Sequence, residues 1–198
     1  PKNLDALKGL GLVKLKQHLY DEAINLFKQA FELNPNDKEI KIKLICALEL
    51  QAKQTAFTSQ LPKSIELIRY ALKLEPFSSA LLCRMSLLLS VSKNFIEALE
   101  FADRALSIDK KSSEAFNMIG LALLGLQRLP EAEKKLLKSI SLNPDAASAY
   151  SNLSLVYRAR GEYDKALETI KRAAALDDKN PQILNNLGVL HLDCNNLE

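Results

Sequence analysis

The chain has 198 residues, a formal net charge of +3, 26% charged residues and 47% hydrophobic residues. Such a small net charge does not indicate a nucleic-acid binder, because those proteins usually concentrate Lys and Arg on one face. No stretch reaches the ~18–20 uncharged apolar residues of a membrane-spanning helix, so we expect no membrane insertion. Gly (6) and Pro (7) are scarce, and the abundance of Leu, Ala, Lys and Glu favours helices over sheets.

The cysteines do not form the pattern of a disulfide framework, since Cys46, Cys83 and Cys194 are an odd number with wide spacing. A bridge between Cys46 and Cys83 would need their Cα atoms within ~7 Å. Thiols suggest a reducing compartment, and the first residues contain no targeting signal. We therefore expect a cytoplasmic location.

Similar segments recur along the chain with an alanine at the same place. The steps from Ala98 to Ala132 and from Ala132 to Ala166 are both 34 residues. Aligned on this period, the whole chain, 1–198, reads as a single array of helix pairs with the following repeats: 4–37, 38–78, 79–112, 113–146, 147–180 and an incomplete 181–198.

The second repeat has seven extra residues, which we place within 51–60. Seven residues are about two helical turns. Either both helices are longer by one turn, or the loop between them protrudes. We expect longer helices joined by a loop over 55–59.

Each repeat carries the apolar spacing of two amphipathic helices. In the fifth repeat, Tyr150, Leu153 and Tyr157 share one helical face, and a break follows at 160–162. The eighth residue of a repeat is mostly small, which lets the two helix axes approach: Gly11, Ser86, Gly120, Ser154 and Gly188. No repeat can bury its apolar face alone, so neighbouring repeats must stack.

These patterns resemble the tetratricopeptide repeat (TPR) family. In the fifth repeat, the resemblance is carried by Tyr150, Leu153, Tyr157, Gly161, Tyr163, Ala166 and Ala173. In the fourth, it is carried by Phe116, Ile119, Gly120, Ala132 and Pro144. The resemblance implies an all-α solenoid of helical hairpins, wound into a right-handed superhelix, in which the first helix of each repeat lines a concave groove.

One column of groove residues is apolar, and asparagines accompany it in the later repeats. An exposed apolar strip usually marks a binding site, although these residues could instead pack between neighbouring first helices. Asparagine amides can hold a peptide backbone, as some TPR superhelices do, or can simply be solvated. The predicted partner-binding groove comprises Leu87, Asn117, Leu121, Asn152, Leu155, Arg158, Asn185, Asn186 and Val189.

A candidate basic end consists of Lys8, Lys43 and Arg84, which could meet an acidic partner or a C-terminal carboxylate. The alternative is an ordinary solvated helix face. By resemblance, a chaperone-binding TPR clamp would also need asparagines at this end. They are missing here, so we do not expect a clamp of the Hsp90 or Hsp70 type.

We find no constellation typical of catalysis, cofactor binding or metal binding. Gly9-Leu10-Gly11 lacks the third glycine and the preceding strand of a dinucleotide-binding loop. His18 and His191 stand in different repeats, so they are not expected to bind a metal together. We expect His18 on a loop surface and His191 packed between helices.

The sequence therefore predicts a non-enzymatic scaffold that binds a partner peptide or helix in its concave groove, and no nucleic acid. One alternative is a TPR domain that recruits substrates for a larger enzyme, such as a glycosyltransferase. Another is self-association into a homo-oligomer through the incomplete sixth repeat, whose apolar face we expect to be uncapped.

Overall fold

The protein is described here by a computed structural model that covers residues 3–56 and 58–195. Within these residues it contains eleven α-helices and no strand. In chain order the helices are α1 (Leu4–Lys16), α2 (Tyr20–Leu33), α3 (Lys38–Thr55), α4 (Leu61–Leu74), α5 (Ser79–Val91), α6 (Phe95–Ile108), α7 (Ser113–Gly125), α8 (Leu129–Leu142), α9 (Ala147–Ala159), α10 (Tyr163–Leu176) and α11 (Pro181–Asn195).

The helices form two compact units, Pro1–Leu88 and Leu89–Glu198, which we call the N-terminal and C-terminal units. In the N-terminal unit, α2 packs against α1 and α3, and α3 packs against α4. In the C-terminal unit, α7 and α9 each pack against the helices before and after them and also against one another, while α11 contacts α9 and α10. This arrangement of consecutive hairpins confirms the all-α helical-hairpin fold, whereas the single array over 1–198 stays a prediction.

Local sequence determines where the helices begin. Odd-numbered helices, which we call first helices, start at the first residue of each repeat predicted from the sequence. Several have a polar side chain at the cap: Asp37 accepts the backbone N–H groups of Glu39 and Ile40, and Ser112 accepts that of Ala115. Such caps satisfy N–H groups that have no partner inside the helix.

The two helices of a hairpin touch where the first helix carries its small residue. A Cβ atom added to Gly11 would lie 2.7 Å from Cε1 of Phe27, and one added to Gly120 would lie 2.5 Å from Cγ of Leu136. Both distances are shorter than real Cβ contacts allow. A Cβ at Gly188, in contrast, would meet nothing within 4 Å. The same sequence position is therefore a tight contact in two hairpins and open space on α11.

The insertion in the second repeat lengthens only its first helix. α3 has 18 residues, compared with 13 in α1, α7 and α9, while α4 has the same 14 residues as the other second helices. The expectation that both helices are longer is therefore wrong, and the joining segment spans 56–60, of which Phe57 lies outside the described residues. A longer α4 would place Pro62 inside the helix, where its ring would clash with a backbone carbonyl.

The α3 extension is held by burial and by a hydrogen bond to α4. Gln51, Ala52 and Thr55 are all buried, and Oγ1 of Thr55 lies 2.7 Å from Oγ of Ser64 on α4. Because of these contacts, the extra residues extend α3 instead of forming a loop.

The predicted surroundings are correct for His18 and wrong for His191. His18 is exposed in the α1–α2 turn, as predicted, with its Nδ1 2.8 Å from the hydroxyl of Tyr20. His191 is exposed on α11, so the prediction that it packs between helices is wrong. Within the described residues α11 has packed neighbours, α9 and α10, on one side only, and His191 faces away from them.

Four of the turns from a first to a second helix contain a residue in the left-handed conformation. His18, Lys93, Gln127 and Gly161 occupy the same place in their repeats and have φ values of 60°, 62°, 59° and 75°. After Gln127, the N–H of the next residue donates to the Leu123 carbonyl at 2.9 Å, which is the Schellman pattern of helix ends. Only Gly161 adopts this conformation without steric cost.

The small-residue contact predicts opposite effects for the same substitution at two equivalent glycines. Gly120→Ala should destabilise the protein by about 1–3 kcal/mol, because the new methyl group meets Leu136. Gly188→Ala should stabilise by about 0.5–1 kcal/mol, because alanine favours a helix and the site is open. Urea unfolding followed by circular dichroism checks both, and equal effects of the two changes would contradict the contact.

The left-handed turn predicts that glycine is the better residue there. Gln127→Gly should stabilise by about 0.5–1 kcal/mol and Gly161→Ala should destabilise by about 1 kcal/mol, since an L side chain costs about 1–2 kcal/mol in this conformation. Urea unfolding midpoints measure both. A loss of stability in the Gln127→Gly variant would mean that the glutamine side chain contributes more than the strain costs.

Candidate peptide-binding face

Two neighbouring first helices of the C-terminal unit present parallel columns of side chains. On α9 the column is Asn152, Leu155 and Arg158, and on α11 it is Asn186, Val189 and Asp193. Spacings of three and four residues place each column on one face of its helix. All six side chains are partly exposed. We call these six residues the α9–α11 strip.

Polar contacts join the two helices at both ends of the strip. At one end, Nδ2 of Asn186 donates to Oγ of Ser151 at 3.1 Å. At the other end, Nε of Arg158 donates to Oδ2 of Asp193 at 2.5 Å. A cleft of about 370 Å³ lies beside this ion pair and is lined by Leu155, Arg158, Ala159, Tyr163 and Asp193. The strip is therefore a bounded surface with an amide end, an apolar middle and an internally neutral charged end.

The asparagines of the strip are held by a bond that repeats from one hairpin to the next. Nδ2 of Asn152 donates to Oδ1 of Asn117 at 2.8 Å, just as Nδ2 of Asn186 donates to Ser151. In both cases the acceptor stands on the preceding first helix and is buried, with exposures of 3% for Asn117 and 5% for Ser151. The same pair of repeat positions therefore fixes both amides.

Asn117 was predicted to face the groove, but its side chain is buried. Its side chain is enclosed, accepting from Asn152 and donating through Nδ2 to Oγ of Ser148 at 3.1 Å. It stands one place earlier in its repeat than Asn152 does, and one residue turns a helical side chain by about 100°. Its contribution is to orient Asn152 rather than to touch a partner.

Of the remaining predicted groove residues, two lie in the C-terminal unit and one lies in the N-terminal unit. Leu121 on α7 is partly exposed and precedes Leu155 by one repeat, so the C-terminal unit has three apolar residues at equivalent places: Leu121, Leu155 and Val189. Asn185 is exposed beside Asn186. Leu87 is partly exposed on α5 but belongs to the N-terminal unit.

The candidate basic end is largely neutralised by neighbouring acids. Nζ of Lys8 lies 2.7 Å from Oε2 of Glu39 and 3.4 Å from Oδ2 of Asp37, and the hydrogen bond to Glu39 raises the pKa of Lys8. Nε of Arg84 lies 4.0 Å from Oε1 of Glu49. Lys43 is half-buried. This end therefore offers little unbalanced positive charge to an acidic partner.

Sequence reasoning did not single out Asp193 or Ser148, and it placed Ser151 in the groove without predicting that it accepts a hydrogen bond from Asn186. Ser151 stands one repeat after Asn117, so the repeat alignment contained the signal that both could accept from the asparagine that follows. Asp193 stands 35 residues after Arg158, which is one repeat and one residue. A search for opposite charges at that spacing would have found the pair.

Over residues 3–56 and 58–195, no group of three or more His, Cys, Asp or Glu side chains is placed to hold a metal ion. All three cysteines are thiols. None of the described helices is long and apolar enough to cross a membrane.

Two family models, each described as the tetratricopeptide repeat, match residues 4–37 and 117–181. Together they cover half of the chain. The chain belongs to the tetratricopeptide repeat family. A TPR array is a protein-interaction scaffold, and the repeats themselves are not a catalytic fold.

The TPR chain is similar to parts of larger proteins. It is 25% identical over 190 residues to human protein O-mannosyl-transferase TMTC1, covering 94% of this chain and 21% of that protein. It is 28% identical over 189 residues to the Drosophila melanogaster BBSome complex member BBS4 homolog, covering 95% of this chain and 37% of that protein. The chain thus spans about a fifth to two fifths of the length of these relatives.

A solved structure shares the fold. The thermophilic TPR protein TTC0263 of Thermus thermophilus is 19% identical, with a TM-score of 0.65 over 96% of this chain and 100% of that one. At this identity the likeness concerns the fold alone.

The ion pair at the end of the strip predicts a measurable coupling between its partners. In a double-mutant cycle of Arg158→Ala and Asp193→Ala, we expect about 0.5–1 kcal/mol of coupling, as for other partly exposed pairs. The coupling should shrink in ~1 M salt, which screens such charges. Urea unfolding at two salt concentrations measures it, and zero coupling at low salt would show that the pair does not join α9 to α11.

Proposed function

We propose that this TPR chain binds an extended segment of a partner protein across α7, α9 and α11 of the C-terminal unit, and that it performs no chemistry itself. The observation that carries the proposal is the α9–α11 strip, in which aligned amides, apolar residues and one ion pair stand on neighbouring first helices. Exposed apolar surface next to fixed polar groups is typical of sites that bind peptides.

The apolar residues supply one contact for each hairpin. Leu121, Leu155 and Val189 are separated by 34 residues, and each is partly exposed on a first helix. A segment crossing the three helices would meet one of them per helix. Burial of such side chains stabilises a complex by about 25 cal/mol for each Å² of apolar surface removed from water.

The polar groups supply orientation rather than charge attraction. Asn152 and Asn186 present amides that can hydrogen-bond to a backbone of any sequence. Arg158 and Asp193 neutralise each other, so the strip does not require an acidic or a basic partner. We therefore expect binding to depend on apolar side chains and backbone more than on net charge.

Other functions remain as predictions. A substrate-recruiting role in a larger enzyme would fit the similarity to the protein named an O-mannosyl-transferase, and the same face would then hold the substrate. Self-association through α11 would use Leu184 and Leu192, which are 46% and 65% exposed. Sedimentation equilibrium over a concentration range would exclude self-association if the mass stayed monomeric.

A cytoplasmic location is likewise part of the proposal, based on the three thiols.

The proposal predicts that charges on the apolar column abolish partner binding without unfolding the protein. The variant is Leu121→Glu with Leu155→Glu, and the control is Ile96→Glu, which changes an apolar residue that is 67% exposed on α6. Partners captured from a lysate of the source cells by the native chain should be lost by the double variant and kept by the control. Circular dichroism must be the same for all three proteins.

Photo-crosslinking locates the contact independently. A benzophenone amino acid in place of Val189 should crosslink to the captured partner, and mass spectrometry then identifies the segment. Loss of helical signal in the double variant would mean that the leucines belong to the core. Retention of the partner by a folded double variant would place binding on another surface and end the proposal.

A further inference from the structure

We infer that the groove between α8 and α10, which we call the α8–α10 groove, binds an acidic amphipathic helix of a second partner protein. The groove has a volume of about 510 Å³ and lies within the C-terminal unit. Its lining includes Leu137, Ile140, Tyr150, Tyr157, Lys165 and Arg172. None of its lining residues belongs to the α9–α11 strip. The inference is therefore independent of the segment proposed for the strip, and it gives the chain two different binding sites.

An equivalent groove in the N-terminal unit is bridged by two side-chain contacts. It lies between α2 and α4 and has a volume of about 350 Å³. Near the start of these helices, Nζ of Lys63 on α4 lies 3.1 Å from Oδ1 of Asp21 on α2. Two turns further on, Nζ of Lys28 on α2 lies 4.7 Å from the centre of the Tyr70 ring on α4, within the range of a cation–π interaction. Each contact joins the two walls of the groove.

The first contact is missing in the C-terminal unit because its acid is replaced. The helices α2, α4, α8 and α10 all have 14 residues, so their places can be compared directly. Lys165 stands at the third place of α10, as Lys63 does on α4, but the second place of α8 is Pro130 instead of an aspartate. Nζ of Lys165 lies 2.6 Å from Oε2 of Glu162, which also has Arg160 as a partner at 2.6 Å. Lys165, whose side chain is 65% exposed, can therefore turn to a carboxylate in the groove without leaving Glu162 unpaired.

The second contact is missing because both of its residues are replaced. Leu137 on α8 and Arg172 on α10 stand at the places of Lys28 and Tyr70. Leu137 is 47% exposed. Among the residues that the structure describes, no carboxylate forms an ion pair with Arg172. The groove is therefore open between an apolar wall on α8 and an unpaired cation on α10.

Positive charge predominates along the α8–α10 groove. On α10, Lys165 and Arg172 stand on either side of Glu168. On α8, the exposed Lys134 precedes Leu137 by three residues and therefore shares its helix face. Three cations and one acid thus surround the apolar wall. This balance favours an occupant with carboxylates at the edges of an apolar surface.

The spacing of the cations on α10 fits a helical occupant. Lys165 and Arg172 are seven residues apart, which is about two turns or ~10 Å along the helix. A helix lying along α10 repeats its own face at the same interval of seven residues, as the charged edges of a coiled coil do. Its apolar side chains would pack on Leu137 and over the rings of Tyr150 and Tyr157. An amphipathic helix in an apolar groove is a recurrent mode of protein recognition.

Two helix-stapled peptides of two heptads separate the charge of the occupant from its shape. The acidic peptide has leucine at the first and fourth places of each heptad and glutamate at the fifth and seventh places. The neutral peptide has glutamine in place of every glutamate. Each peptide is titrated into the protein by isothermal calorimetry. The methyl NMR signal of Ile140, assigned with an Ile140→Val variant, reports whether the peptide enters the groove.

The acidic peptide should bind about tenfold more tightly than the neutral peptide, as two exposed ion pairs would contribute, and it should shift the Ile140 signal. The double variant Lys165→Gln/Arg172→Gln should reduce its affinity to that of the neutral peptide. The control Lys171→Gln removes an exposed cation that is turned about 100° from Arg172 on α10, and it should keep the tenfold difference. In ~1 M salt the difference should shrink.

A second variant closes the groove with the contacts found in the N-terminal unit. Pro130→Asp, Leu137→Lys and Arg172→Tyr together give α8 and α10 the residues that α2 and α4 carry at these places. With Lys165 already present, this triple variant should bind both peptides at least tenfold more weakly than the native chain. Its circular dichroism should match that of the native chain, and it should still capture the partner of the α9–α11 strip.

Other results overturn the inference. Equal affinity of the native chain for the acidic and neutral peptides would mean that Lys165 and Arg172 do not recognise charge. Binding without a shift of the Ile140 signal would place the peptide on another surface. Absence of binding, or unchanged binding to a folded triple variant, would show that the groove does not dock a helix. If the triple variant does not fold, the double variant decides alone.

Discussion

The first and fourth hairpins of this chain depend on the close approach of their two helices at one glycine. Gly11 against Phe27 and Gly120 against Leu136 leave no room for a methyl group, so the helix axes can pack closely and bury the apolar faces of both. A single hairpin cannot complete its core, and the next first helix covers what remains exposed. This stacking brings successive first helices side by side. The proposed binding face forms because the same positions recur on adjacent parallel helices of the C-terminal unit.

The polar side chains of that face are arranged by the same repetition. Asn152 and Asn186 are each held by a buried acceptor one repeat earlier, and the pair Arg158 and Asp193 closes the other end. Buried acceptors make such bonds costly to break, because an unpaired buried amide loses its solvation without compensation. The orientation of the amides is therefore fixed before a ligand arrives. Preorganised groups of this kind lose less conformational freedom on binding.

The sequence predicts the repeat well because a 34-residue period determines both the helix starts and the small-residue column. It does not predict which way neighbouring asparagines turn. Asn117 and Asn152 differ by one place in their repeats, and that rotation separates a buried orienting residue from an accessible one. The α3 extension was also beyond pattern reasoning, since it depends on the burial of Gln51 and on the bond between Thr55 and Ser64. His191 was misplaced for a similar reason, because its environment depends on which helices pack beside α11.

A crystal structure of the chain with the captured partner segment would test the central claim most directly. The account predicts that the segment lies across α7, α9 and α11, with its backbone at hydrogen-bond distance from the side-chain amides of Asn152 and Asn186 and its side chains on Leu155 and Val189. A segment seated instead in the α8–α10 groove, with the α9–α11 strip left empty, would contradict it.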